Sequence, residues 1–418
     1  MVTVYLPAPV TTPADAVART AEKILVRLQR AVDDHSRRPL RLARRHRPVV
    51  PIPAPRRVVL VTRRDDVLAV LADPDTYALP FLPRLQGRFL LGVTGGDLAR
   101  DRAELLAVMR ADDLEFLRGL AESEAERRVH GADGALDVGT DLVHPVLDAV
   151  VGRYLGVPGP DPATQLRWAR DLFQYIFLPE GGLPTVRRRA QRAKREMGAH
   201  VDRLVAARRA ATGGPDDVLG RMLDRQRVAP ATAFDDGEIR DYLVGLAIGW
   251  LWHGAKAPMI AVDELLDRPD ALAEARSAAQ ARDLDRLRHV LWEALRFRPV
   301  QAGVPRVCTR DTVLAPGTGR ARRLRKDTMV IAGTHSAMWD EEWVPDPERF
   351  DWTRAEGQYL IFGDGLHRCF GEDIMRRQLP AMLAPLLRAG NLRRADGPPG
   401  LLRWQGPAPD ALRVEFTR

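Results

Sequence analysis

The feature that most constrains this chain is one short stretch near its C-terminus, Phe362-Gly363-Asp364-Gly365-Leu366-His367-Arg368-Cys369-Phe370-Gly371. It sets one cysteine in a glycine-punctuated loop just before residues 372–387. There Ile374, Leu379, Leu383 and Leu387 recur at a spacing that predicts a helix. A thiolate at such a junction meets backbone N–H groups and the positive end of a helix dipole, and both favour its negative charge. Cys369 therefore has the setting of a metal ligand. Gly363, Gly365 and Gly371 let the backbone turn tightly and approach a large flat ligand where a Cβ would collide. His367, two residues ahead of the cysteine, is placed to donate to a carboxylate on that ligand.

The remaining chain is long enough to bury such a group. Its 418 residues are 45% hydrophobic and 29% charged, an ordinary globular balance. The formal charge is +8, with arginine supplying nearly all of the cations. A solvated basic surface or a docking face for an acidic electron-transfer protein accounts for it. Nucleic-acid binding is not supported, because no helix-turn-helix, zinc or aromatic-basic signature accompanies the charge. The only cysteines are Cys308 and Cys369. With Cys369 committed to a metal no disulfide is expected, and a reducing cytoplasm is the natural compartment. No stretch approaches the roughly 18 apolar residues of a membrane span, and residues 1–13 lack a cationic start followed by an apolar core.

Taken in order, Val17, Ala21, Ile24, Leu28 and Val32 predict an amphipathic helix, and the basic, proline-containing residues 37–55 read as a solvated connector. Residues 58–61 predict a buried strand, 65–71 a helix, and 98–109 a helix after Gly95-Gly96-Asp97. Residues 113–225 are almost wholly helical in pattern, broken at 131–134, 158–162 and 179–184. The aromatic run Phe173-Gln174-Tyr175-Ile176-Phe177-Leu178 precedes the last break, and aromatics at such density read as core. The basic helix after it, with Arg187, Arg188, Arg189, Arg192, Lys194 and Arg195, reads as a solvated face. Residues 284–296 predict a helix, and 304–307, 311–314 and 328–331 predict strands. No repeat or composition shift marks a boundary, so one mostly helical domain over residues 1–418 with a minor sheet is expected.

The pattern Phe-Gly-x-Gly-x-His-x-Cys-x-Gly resembles the heme-binding loop of the cytochrome P450 superfamily. The resemblance implies a mainly α fold, a helical bundle with a small β-sheet subdomain, in which Cys369 is the proximal ligand of heme b iron. Phe362, Gly363, Gly365, His367 and Gly371 would then surround the heme. Glu293-x-x-Arg296 and the later Pro347-Glu348-Arg349-Phe350 resemble the family's buried Glu-Arg-Arg triad, implying Glu293, Arg296 and Arg349 as members. Arg306 resembles an arginine that binds a heme propionate. Arg100 and Arg102 are the candidates for a second one, although the usual His or Trp before that arginine is missing.

The long apolar run 238–266 would cross the distal heme face, and there the chain departs from the family. Members that activate dioxygen usually carry an acid and an alcohol in this helix. Here the corresponding stretch is His253-Gly254-Ala255-Lys256-Ala257-Pro258, with Lys256 for the acid and Ala257 for the alcohol. Pro258 has no N–H for the Gly254 carbonyl, so a kink is expected. Lys256 either faces the pocket and prefers an anion, such as a substrate carboxylate, or snorkels outward. His253 is either a proton donor near neutral pH or a packed helix residue. The expected activity is monooxygenation of a small organic substrate of secondary metabolism, with dioxygen and electrons from an acidic ferredoxin-type partner. The alternatives are a peroxide-dependent peroxygenase or a heme-dependent isomerase or dehydratase, and a non-catalytic relative that activates a partner enzyme.

Overall fold

The computed structural model describes residues 37–52, 57–81, 84, 87–178, 182–211 and 213–417. The helix predicted over residues 17–32 lies outside the described residues.

The stretch expected to be a solvated connector is instead ordered secondary structure: helix α1 (Arg37–His46) followed by strand β1 (Val49–Ile52). Its basic side chains are committed to distant carbonyls and carboxylates. Arg44 is buried and donates to the carbonyl (3.2 Å) and hydroxyl (3.0 Å) of Ser336, while Arg41 and Arg45 pair with Glu341 at 2.9 and 2.6 Å. Strand β1 then pairs with β2 (Val58–Val61), which runs parallel to β8 (Met329–Ala332). With β5 (Val304–Cys308) and β3 (Tyr77–Ala78) they make a five-stranded sheet in the order β1-β2-β8-β5-β3. Val59, Val61, Val330 and Ala332 point inward by the two-residue alternation of strands. They meet helix α2 (Arg64–Ala72) through Val67, Val70 and Leu71, forming a smaller core with Trp292, Phe297 and Trp339.

The larger core is helical. Helices α3 (Gly95–Val108), α4 (Asp113–Gly131), α5 (His144–Val150), α6 (Pro162–Phe177), α7 (Pro184–Ala210) and α8 (Val218–Val228) precede the long α9 (Asp236–Leu266). Helices α10 (Pro269–Gln280) and α11 (Leu284–Phe297) follow, then the one-turn α12 (Thr334–Ala337) and α13 (Glu372–Arg388). Helix α9 begins in a capping box, with Asp235 accepting from the Glu238 N–H and Glu238 from the Asp235 N–H. It is buried along most of its 31 residues, as expected of a helix apolar on all sides. It runs without interruption through Pro258, so the expected kink does not break it. Phe350 and Ile361 pack against both cores and join them.

Short C-terminal strands close the fold, a part the periodicity analysis did not anticipate. Strand β4 (Ala135–Asp137) pairs with β12 (Arg413–Thr417) and β12 with β9 (Gly390–Arg394), while β10 (Arg403–Gln405) and β11 (Ala408–Ala411) form a hairpin. Each is too short to carry a strong alternation signal by itself. Among the described residues no helix is long and apolar enough to cross a membrane.

Buried carboxylates clamped by arginines and tyrosines tie the layers together. Asp101, fully buried on α3, accepts from Arg88 Nε (2.7 Å) and Nη2 (3.0 Å), from Arg100 Nε (2.9 Å) and from the Tyr242 hydroxyl on α9. Asp113 likewise accepts from Arg221 and from Tyr154. Burial pushes the Asp101 carboxyl up, but the hydrogen bonds from Arg88, Tyr242 and Arg100 outweigh it and the net shift is downward. A carboxyl with a depressed folded pKa contributes stability above its unfolded value of about 3.9 and loses that contribution as pH falls through the folded one. Asp101→Ala leaves two guanidinium groups without their shared anion and is expected to cost about 3–5 kcal/mol in a denaturant melt at neutral pH. The deficit relative to wild type should shrink as both proteins are taken to acid.

Candidate functional site

The cysteine loop closes on itself through the Cys369 N–H, which donates to the Phe362 carbonyl at 3.0 Å. Gly363 and Gly365 both take left-handed backbone, with φ of 70° and 73°. At Gly365 a Cβ would stand 2.4 Å from the Leu71 carbonyl oxygen, so the glycine lets the loop rest on the end of α2. At Gly363 a Cβ would meet nothing within 4 Å; its side faces open space. The Cys369 side chain is exposed, yet the protein surrounding it pushes its thiol up, as for a group standing in the wall of an internal recess. The Gly371 N–H donates to the sulfur and works in the opposite direction, favouring the thiolate.

Three cationic or polar side chains converge beside this loop. Arg306, only 4% exposed on β5, has a single hydrogen bond, to the Pro305 carbonyl at 3.0 Å, and no carboxylate partner among the described residues. Burial lowers its pKa to about 10. The His367 imidazole is held down to about 4, first by burial and then by the charges of Arg306 and Arg102. Arg102 lies over the Phe370 ring, 5.7 Å from its centroid. Arg100, the other candidate on α3, turns away to Asp101 and Glu238 and is not part of this group. A buried guanidinium beside an imidazole and a second guanidinium lacks an anion.

Glu293 and Arg296 pair as expected, at 2.7 and 2.9 Å and with neither side chain exposed. The third member differs from the expectation. Arg354, not Arg349, brings its guanidinium to Glu293, at 3.2 Å. Arg349 contributes its backbone carbonyl, which accepts from both Arg296 and Arg354. Arg354 also donates to the carbonyls of Pro345 and Asp346 and Arg296 to that of Pro347, so the two guanidinium groups wrap residues 345–349 around one carboxylate. Next to Glu293, Trp292 is held between the guanidinium groups of Arg288 and Arg376, each 4.6 Å from its ring, and sets its edge on Phe362 of the cysteine loop.

On α9 the register differs from the one counted along the sequence. A Cβ on Gly254 would lie 2.8 Å from Leu147 Cδ2, so this glycine packs into the helical core. The glycine facing open space is Gly249. Leu246, Gly249 and His253 form one partly accessible strip on a helix otherwise buried around them. Lys256 is 5% exposed, with its Nζ 5.5 Å from the Trp404 ring centroid, and Arg298 approaches the same ring at 5.8 Å. Ala257 and Pro258 are buried. The His253 ring stands nearly perpendicular to Phe173, with ring centroids 4.9 Å apart. Burial, and secondarily the charge of Lys256, lower its pKa to about 4, so the expected proton donor near neutral pH is instead a neutral ring. The aromatic run on α6 is only partly core. Phe173 is core, stacked on Trp252 at 4.6 Å, whereas Tyr175 and Phe177 line a cleft with Phe89, Leu172, Ile176 and Val244.

Among the described residues no group of three or more His, Cys, Asp or Glu side chains could hold a bare metal ion. A lone cysteine sulfur, Gly363 facing open space in the same loop and an orphan guanidinium nearby fit a metal that arrives in a flat, anionic macrocycle. The arrangement is that of a heme-thiolate protein. The Cytochrome P450 family profile matches residues 270–399. Cyclomarin C epoxidase CymV of Salinispora arenicola is 30% identical over 68% of this chain and 68% of its own, and Cytochrome P450-SU2 of Streptomyces griseolus is 28% identical over 79% of each. The crystal structure of CalO2 superposes with a TM-score of 0.79 at 26% identity, covering 92% of this chain and 97% of that one. The chain belongs to the cytochrome P450 family, and is a heme-dependent monooxygenase that acts on a small substrate with electrons from an external redox partner.

The exchange of Arg349 for Arg354 is directly testable. Arg354→Ala should cost about 3–5 kcal/mol, because it strips a buried carboxylate of one partner. Arg349→Ala, which keeps the backbone carbonyl, should stay within about 0.5 kcal/mol. Chemical denaturation of the two variants side by side separates the assignments.

Proposed function

We propose that Cys369 is the axial thiolate of heme b, and that residues 1–418 act as one catalytic unit. The observation that carries this is the Cys369 sulfur, exposed to the recess and accepting the Gly371 N–H. Arg306, His367 and Arg102 bind the heme carboxylates, and Gly363 gives the macrocycle room. Glu293, Arg296 and Arg354 hold the segment that leads into the loop. When bound, the heme supplies the iron at which dioxygen is reduced and split, with the thiolate donating electron density.

The substrate fits through its apolar surface. The cleft between α6, α7 and α9 is walled mainly by aromatic and aliphatic side chains, with Arg84, Arg88, Lys194 and Asp241 also on its lining, while Lys256, the residue that suggested a carboxylate-bearing substrate, is packed on Trp404. A natural product with an extended uncharged face suits this cleft better than a fatty acid anchored by its head group. The excess of arginine supports an acidic ferredoxin-type electron donor, and two unpaired thiols suit the cytoplasm.

Purified protein should bind one heme that is extractable by acid, as heme b is. Its reduced carbon monoxide adduct should absorb at the long wavelength of thiolate ligation. Cys369→Ala should lose that adduct and reduce turnover to background; retention of either would remove Cys369 from the role. Turnover should require a ferredoxin, its reductase and dioxygen, and full activity with hydrogen peroxide alone would replace this reading by a peroxygenase. Arg306→Leu should weaken heme retention about tenfold or more, read as heme content after dilution and gel filtration.

A further inference from the structure

The cysteine loop is fastened at both ends, and one arginine reaches both fastenings. At the entry, the Phe362 carbonyl accepts the Cys369 N–H at 3.0 Å, and the Phe362 ring meets Trp292 of α11 with centroids 5.8 Å apart. At the exit stands Glu372, the first residue of α13 and three residues past the cysteine. Arg376, one turn along α13, lays its guanidinium 4.6 Å from the Trp292 ring and donates to Glu372 at 2.8 Å. It also donates to Glu356 at 2.8 Å. Glu356 accepts in turn from Arg288 at 2.7 Å, the second guanidinium against Trp292.

Trp292 is a costly residue for plain filling. It is 2% exposed, and its indole N–H finds no acceptor among the described residues. Its π-face, by contrast, is fully used, because two cations lie against it. Arg288 steadies the ring but makes no bond to the exit of the loop. Arg368 also donates to Glu372, at 2.7 Å, yet lies within the loop and does not tie it to α11. Arg376 alone joins the two ends.

Building on the assignment of Cys369 as the axial thiolate, we propose that Trp292 and Arg376 are positioning residues that clasp the entry of the cysteine loop to its exit and thereby hold the sulfur in its ligating place. The clasp has two contacts, ring to guanidinium and guanidinium to carboxylate. Opening either frees residues 362 and 372 from one another and leaves the backbone bond between Cys369 and Phe362 to hold the loop.

The measurement is the lifetime of the long-wavelength carbon monoxide adduct of the reduced, heme-loaded protein, in urea too dilute to unfold it. Heme content and far-UV circular dichroism are read in parallel, and no substrate or turnover is needed. Arg376→Gln and Glu372→Ala should each shorten the lifetime about tenfold, whereas Arg288→Gln should stay within about twofold of wild type. Trp292→Leu should match Arg376→Gln, and Trp292→Phe, which keeps a π-face, should recover most of the lifetime. Glu372→Ala separates position from charge, because removing an anion near the sulfur by itself favours the thiolate.

An unchanged lifetime in Arg376→Gln, or a longer one in Glu372→Ala, would overturn the proposal. So would equal losses in Arg288→Gln and Arg376→Gln, which would reduce both arginines to a cage around the ring. Should Trp292→Leu fail to fold, the Arg376 and Glu372 variants, whose side chains both reach solvent, decide the matter. Failure of the Cys369 assignment looks different, because then wild type itself never forms the long-wavelength adduct.

Discussion

One carboxylate, that of Glu293, is the anchor on which the arrangement of this molecule depends. It lies fully buried and accepts from Arg296, Arg354, the Tyr359 hydroxyl and the Asp351 N–H. A naked charge there would be ruinous, so all four donors have to be in place for the segment to fold at all. Because those donors come from residues 296, 351, 354 and 359, satisfying a single side chain pins about sixty residues of chain onto α11. The cysteine loop begins three residues beyond the last of them. Its position is thus inherited from an ion cluster that does not touch the ligand, with Trp292 passing the constraint to Phe362 by direct ring contact.

The two cores meet along α11, which gives Leu291 and Leu295 to the helical one and Trp292 and Phe297 to the smaller one, with Phe350 and Ile361 packed against both. Beside the Cys369 sulfur stands a cluster of cationic groups, and burial, followed by the charges of Arg306 and Arg102, depresses the His367 pKa. On α9 the partly accessible strip of Leu246, Gly249 and His253 does not include Lys256, which is turned to Trp404. An anionic edge is attracted to the cations beside Cys369, while the cleft at α6 and α9 is mostly apolar, with Arg84, Arg88, Lys194 and Asp241 on its lining.

How much of this was legible in the sequence depends on whether a feature is set locally. The glycine loop, the long apolar helix and the strands at 58–61 and 328–331 follow from spacing alone and appear where expected. The third arginine of the Glu293 cluster does not. Arg349 and Arg354 lie five residues apart in an irregular segment, and only the tertiary turn decides which guanidinium folds back and which residue offers its carbonyl. The register of α9 failed for a related reason: each residue of offset rotates a helix by about 100°, so Gly254 and Gly249 were exchanged between the core and the opening. The protonation of His253 was equally out of reach, because burial among α6 and α9 side chains, more than the charge of nearby Lys256, sets it. The segment 37–52 reads as polar and solvated in composition, and its arginines find partners some 300 residues away.

The cations of this chain are almost all arginine; only Lys23, Lys194, Lys256 and Lys326 are amines. The clamps described above pair those guanidinium groups with carboxylates, and hydroxyls of tyrosine complete them. Arg88 and Arg221 hold their protons more tightly than a free arginine, and burial beside an anion raises Tyr154, Tyr242 and Tyr359 as well. None of these partners gives up its proton in mildly alkaline water, whereas every carboxylate can take one in acid. The lattice is consequently lopsided: base finds no group in these clamps to discharge, and acid dissolves them one anion at a time.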